Sequence, residues 1–271
     1  MDKRPIGVFE SGLGGLSVVR QLLTLLPGED LVYFGDTARV PYGTRSPRVL
    51  EQYTREDCRF LLTEDVKCII AACGTVSSVA PHVLKELPVP AMGVVEPTVN
   101  AALAATKNGK IGLLGTTATV NSGAFHRGIA ALRPDVKVFG QACPLFVSLV
   151  ESGWIDPENE ATVAVARRYL QPLMEQGVDT LILGCTHFPL LTPVIRRIVG
   201  EEIALIDSGA ACAAACRDLL TATDALNRQT AKGECRFFVS DRPHDFTAVA
   251  SMFLGRPVKD DIHLLDPERL L

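Results

Sequence analysis

The sequence predicts an α/β protein made of two pseudo-symmetric domains, each a parallel sheet covered by helices, with a candidate site in the cleft between them. Three observations lead there. Short runs that are apolar on both faces alternate with longer amphipathic stretches. The short runs end in glycine-rich or polar turns, and the two halves of the chain resemble one another at a nearly constant offset.

The strand-like runs fall at residues 6–9, 31–34, 68–71, 91–95, 111–114, 136–139, 181–183 and 203–206. Runs without a polar face suit parallel strands buried on both sides. Between them, residues 16–26, 47–62, 122–132, 157–176 and 189–199 repeat apolar side chains at helical spacing. Comparing the chain with itself aligns residues 6–11 with 111–116, 30–35 with 135–140, and 66–73 with 178–185. Several matches in one order imply an internal duplication. The segment after Ser208 has no counterpart; it reads as strand 236–240 and helix 243–254 and is expected to return to the first half. The expected division is therefore residues 1–97 plus 208–271 against 98–207.

At 271 residues with 47% hydrophobic content, the chain can bury a substantial core. Its 27 basic and 31 acidic residues leave a net charge of −4, which gives no electrostatic case for nucleic acid or an anionic membrane as partner. Met1 to Pro5 lead into an apolar strand without a signal-peptide pattern, and later apolar stretches are short or interrupted. A soluble cytoplasmic protein acting on a small molecule is expected. Eight cysteines suit a reducing compartment, and without any Cys-x-x-Cys pair they do not suggest zinc. Cys212 and Cys216, in an Ala-rich helical stretch, read as packing residues.

Open parallel sheets bind ligands at the carboxyl ends of their strands. Those ends here carry Glu10-Ser11-Gly12, Asp36-Thr37 before Pro41-Tyr42-Gly43, Cys73-Gly74-Thr75, Thr116-Thr117 and Cys185-Thr186-His187. One cysteine at a strand end is more often inert packing than a nucleophile or base. Two at equivalent ends of duplicated strands, each with a threonine beside it, point to chemistry. Related by pseudo-symmetry, two thiols can approach one carbon from opposite faces, as a two-base stereoinversion requires. A helix following each is expected to favour the thiolate, and His187 to exchange a proton with Cys185. Gly12-Leu13-Gly14-Gly15 offers a rival reading as a dinucleotide turn, but Ser17 occupies the third small position. A close backbone approach to a small ligand is the preferred reading of these glycines.

These segments resemble the glutamate racemases of the aspartate/glutamate racemase superfamily over nearly the whole chain. The resemblance is carried by residues 6–9 and 11–16, 33–43, 142–146 and 183–191. It implies that Cys73 and Cys185 are the acid/base pair, with Glu10 supporting Cys73, His187 supporting Cys185, and Glu151 near the second pair. It further implies that Ser11, Thr75, Thr117 and Thr186 bind the substrate's ammonium and α-carboxylate. Pro41, Tyr42 and Gly43 would hold its side-chain carboxylate through backbone and hydroxyl donors. No pyridoxal phosphate, metal or other cofactor is implied; the partner is a small acidic amino acid, the assembly a homodimer, and the product D-glutamate for peptidoglycan.

Two residues depart from the family pattern. Glu10 stands where Asp is usual, a change that moves a carboxylate by roughly 1 Å and can cost ~100-fold where positioning is critical. Gly74 stands where Asn is usual; the missing amide removes a hydrogen bond to charge worth about 1.5–3 kcal/mol, and the site gains room for a larger group. Two alternatives follow: a racemase or isomerase acting on aspartate or another acidic amino acid, or a weakened relative with a binding or regulatory role.

Overall fold

The computed structural model describes residues 1–242, 246–258 and 262–265. Among the described residues there are ten strands: β1 (Ile6–Glu10), β2 (Leu31–Gly35), β3 (Cys68–Ala71), β4 (Ala91–Gly93), β5 (Lys110–Gly115), β6 (Lys137–Ala142), β7 (Thr180–Leu183), β8 (Ala204–Asp207), β9 (Cys235–Val239) and β10 (Ile262–Leu264). They form two sheets, ordered β10-β9-β2-β1-β3-β4 and β6-β5-β7-β8, and every pairing is parallel. β1, β2, β3 and β7 are buried throughout, which is why they read as unbroken apolar runs.

The order β2-β1-β3-β4 repeats in β6-β5-β7-β8, so the sequence repeat is a structural one. In each half the chain leaves the middle strand in one direction and returns on its other side. The topological switch points thus lie between β1 and β3 and between β5 and β7, where open parallel sheets form their ligand crevices. β9 pairs with β2, which brings the tail of the chain back to the first sheet. One large apolar cluster joins the halves, reaching from Ile6 and Tyr33 to Leu114 and Leu183; helices Leu16–Leu25 and Ser208–Ala222 contribute Leu22, Cys212 and Cys216 to it.

Several expected elements change at their ends. The run 91–95 stops at Gly93 because Val95–Ala105 is already helical. The stretch 122–132 is broken by Gly123 at φ 67°, dividing Thr117–Ser122 from Ala124–Leu132. Helix 157–176 narrows to Glu160–Glu175, capped by Asn159, whose side chain accepts from Thr162 N at 3.1 Å. Strand β10 had no expectation from sequence. Of the helix expected over 243–254, residues 243–245 lie outside those described, and Phe246–Leu254 is helical. No helix among the described residues is long and apolar enough to cross a membrane.

Candidate active site

Both thiols open into one cleft of about 660 Å³. Every catalytic and substrate-binding candidate lines it, Cys73, Cys185, Glu10, His187 and Glu151 together with Ser11, Pro41, Tyr42, Gly43, Gly74, Thr75, Thr117 and Thr186, whereas Asp36 and Thr37 do not. The cleft walls include the carboxyl ends of β1, β3, β5 and β7, hence both sheets, while the segments after β2 and β6 supply Pro41, Tyr42, Gly43 and Glu151. This convergence follows from the topology, since those four strands flank the two switch points.

Cys73 caps helix Gly74–Val79 and is only 4% exposed. The expectation that the helix start would favour its thiolate is overturned. Burial, reinforced by the negative charge of Glu10, pushes its pKa up to about 12, and the amides of Val76 and Thr75 and the hydroxyl of Ser11 do not offset that. The helix has only six residues, so its terminal dipole is small against the cost of a charge out of water. The Cys73 thiol donates to Ser11 Oγ at 3.8 Å, and Ser11 Oγ donates to Glu10 Oε1 at 3.0 Å. Gly12 N donates to Glu10 Oε2 at 2.6 Å and fixes the carboxylate. Among the described hydrogen bonds, none joins Glu10 directly to Cys73.

Cys185 is served differently. Its Sγ lies 3.8 Å from His187 Nδ1, and His187 Nε2 lies 3.0 Å from Glu151 Oε1. Burial works against a charged imidazole, yet the bonds to Cys185 and Glu151 outweigh it and raise the His187 pKa to about 10. His187 therefore holds its proton at neutral pH. The ring is further oriented by an edge contact to Phe253, 5.0 Å between centroids. The helix expected from residue 189 is a single turn, Phe188–Leu191, followed by helix Thr192–Val199. Pro189 and Pro193, which have no amide hydrogen, suit the starts of those two segments.

Three readings of individual residues change. The Tyr42 hydroxyl donates to Asp36 and lies 3.1 Å from Asp57 Oδ2, so it is committed within the protein rather than to a substrate; Arg39 closes the same cluster. Of the glycines after β1, Gly12 lines the cleft, whereas Gly14 and Gly15 admit neighbouring protein: a Cβ on Gly14 would meet Thr186 Oγ1, and one on Gly15 would lie 2.6 Å from Glu10 Cβ. Gly74 gives no extra room, because its Cβ would lie 2.6 Å from the carbonyl oxygen of Gly184. The two cysteine-bearing turns meet there, backbone against backbone.

Thr116 and Thr119 were missed as site residues. Thr116 Oγ1 lies 3.3 Å from Thr75 Oγ1 and 3.0 Å from Thr119 Oγ1, forming a hydroxyl ladder across the cleft. The signal for Thr116 was present, since the internal repeat aligns it with Ser11.

A family model described as Asp/Glu/Hydantoin racemase matches residues 6–216. The chain belongs to this racemase family. Among its relatives is the glutamate racemase of Geobacter metallireducens, 44% identical over 261 residues and covering 96% of each chain. Among solved structures, the glutamate racemase of Francisella tularensis in complex with D-glutamate superposes with a TM-score of 0.90 at 35% identity, covering 98% of both chains. A glutamate racemase isoform from Bacillus anthracis gives a TM-score of 0.92 at 32% identity over 98% of this chain and 99% of that one. The racemase thus keeps the family's two-sheet architecture while carrying Glu10 and Gly74 at its first cysteine.

Proposed function

We propose that the racemase interconverts L- and D-glutamate, with Cys73 and Cys185 exchanging the α-proton from opposite faces of the substrate. The observation that carries this reading is that both sulfurs, at equivalent ends of duplicated strands, open into one cleft with separate proton carriers. One thiolate removes the α-proton while the opposite thiol supplies one, so configuration inverts without a second visit by the same group. Ser11, Thr75, Thr117 and Thr186 would hold the ammonium and α-carboxylate. The side-chain carboxylate would rest on the backbone of Pro41, Tyr42 and Gly43, with the Tyr42 hydroxyl committed elsewhere.

The developing carbanion needs fixed donors in a dry site, since a hydroxyl dipole held in place costs no reorganisation during the reaction. Closure of residues 1–97 plus 208–271 onto 98–207 would expel water and bring both sulfurs to Cα. A cytoplasmic homodimer supplying D-glutamate for peptidoglycan fits this reading, and all eight cysteines being free suits a reducing compartment.

The test is Cα hydrogen exchange and racemisation in deuterated water with each enantiomer of glutamate and of aspartate. Both glutamate enantiomers should gain deuterium, and Cys73→Ser and Cys185→Ser should each abolish racemisation. Exchange into aspartate alone would overturn the substrate, and racemisation surviving either substitution would overturn the two-thiol mechanism.

A further inference from the structure

We propose that Ser11 is a proton relay, carrying the proton between Cys73 Sγ and the carboxylate of Glu10. The inference rests on the two-thiol reading above and adds a route that direct support of Cys73 by its carboxylate does not contain. Three contacts define it: Sγ to Ser11 Oγ at 3.8 Å, Ser11 Oγ to Glu10 Oε1 at 3.0 Å, and Gly12 N to Glu10 Oε2 at 2.6 Å. The last contact leaves Oε1 as the oxygen that faces the relay.

The step balances within these groups. Cys73 S–H gives its proton to Ser11 Oγ as the Ser11 hydroxyl proton passes to Glu10 Oε1. A thiolate and a carboxylic acid result, and the serine is again a neutral alcohol. The thiolate can then take the substrate's α-proton; the reverse sequence reloads the thiol. A buried thiol whose neutral form is favoured needs such a route, because water has little access to a side chain 4% exposed.

Gly15 leaves room beside the base of the Glu10 side chain, a Cβ there lying 2.6 Å from Glu10 Cβ and 2.9 Å from its Cγ. The other half carries no such relay. Thr116 is the counterpart of Ser11, but Gly115 replaces the carboxylate before it, and Thr116 bonds to Thr75 and Thr119 instead. Cys185 relies on His187 and Glu151. The two thiols thus have unlike proton partners, one through a hydroxyl and one through an imidazole.

The experiment compares Ser11→Ala, Ser11→Thr, Glu10→Gln and the Ser11→Ala/Glu10→Gln double variant, each with circular dichroism to verify folding. Ser11→Ala should lower kcat roughly 100-fold, well beyond any rise in KM from the lost substrate contact, and Ser11→Thr should restore most of it. The double variant should be no slower than the slower single one, since both remove the same relay. Iodoacetamide labelling of Cys73, followed by peptide mass spectrometry across pH, needs no substrate. In Ser11→Ala it should run roughly tenfold slower at a fixed pH, the thiolate having lost a donor. A raised KM with kcat retained, losses that multiply in the double variant, or labelling unchanged by Ser11→Ala would each overturn the relay. If the unmodified protein racemises no glutamate, the proposed function fails, while the labelling still decides the relay.

Discussion

Adding one carbon at residue 74 should cost the racemase most of its activity. In Gly74→Ala the new Cβ would sit 2.6 Å from the carbonyl oxygen of Gly184, about 0.8 Å short of the 3.4 Å at which ordinary contact begins. That oxygen is backbone, in a residue whose own amide is held by Leu114 O at 2.8 Å, so no flexible side chain can yield. The turns bearing Cys73 and Cys185 must separate by most of that distance. A displacement near 1 Å at reacting groups costs ~100-fold, or about 2.7 kcal/mol of transition-state stabilisation. The assay is kcat/KM for glutamate racemisation, followed polarimetrically in both directions, with thermal melting as the control for folding. Gly74→Asn, which restores the residue usual in the family, should fare no better because it carries the same Cβ. A Gly74→Ala enzyme with kcat/KM within about threefold of the parent and an unchanged Tm would refute the argument.

Tyr42→Phe should destabilise the fold by about 1–3 kcal/mol in urea titration, since the buried Asp36 and Asp57 lose the hydroxyl between them, while KM for glutamate stays within about threefold. A large rise in KM would return the hydroxyl to the substrate. For His187, whose pKa is raised to about 10, the stabilisation is complete below its unfolded value of about 6.5 and disappears as pH climbs through 10. The urea midpoint of the parent should therefore fall over that window more steeply than that of His187→Gln. Cys185→Ser should lower the His187 pKa, read by NMR titration of the imidazole, because the bond to Cys185 is the strongest effect raising it.

The alternation of apolar runs and amphipathic stretches was enough to place β1, β2 and β3 within a residue of their ends, because strands buried on both faces need uninterrupted apolar sequence. The repeat carried more, pairing Cys73 with Cys185 and Ser11 with Thr116 before any sheet order was known. Short elements were less legible. Strand β10 has three residues, too few for a period to register.

By itself, the sequence determined the fold class, the duplicated halves and most of the polar groups that face the cleft, because each of these depends on residue type and spacing along the chain. Only the tertiary structure decided what each group does. It turned the Tyr42 hydroxyl toward Asp36 and Asp57, set Ser11 between Cys73 and Glu10, and pressed Gly74 against Gly184. It also raised the Cys73 pKa where a helix start alone would lower it. The physical reason is range: burial, hydrogen-bond partners and backbone clearance arise from atoms brought together from distant parts of the chain, and local pattern records none of those distances.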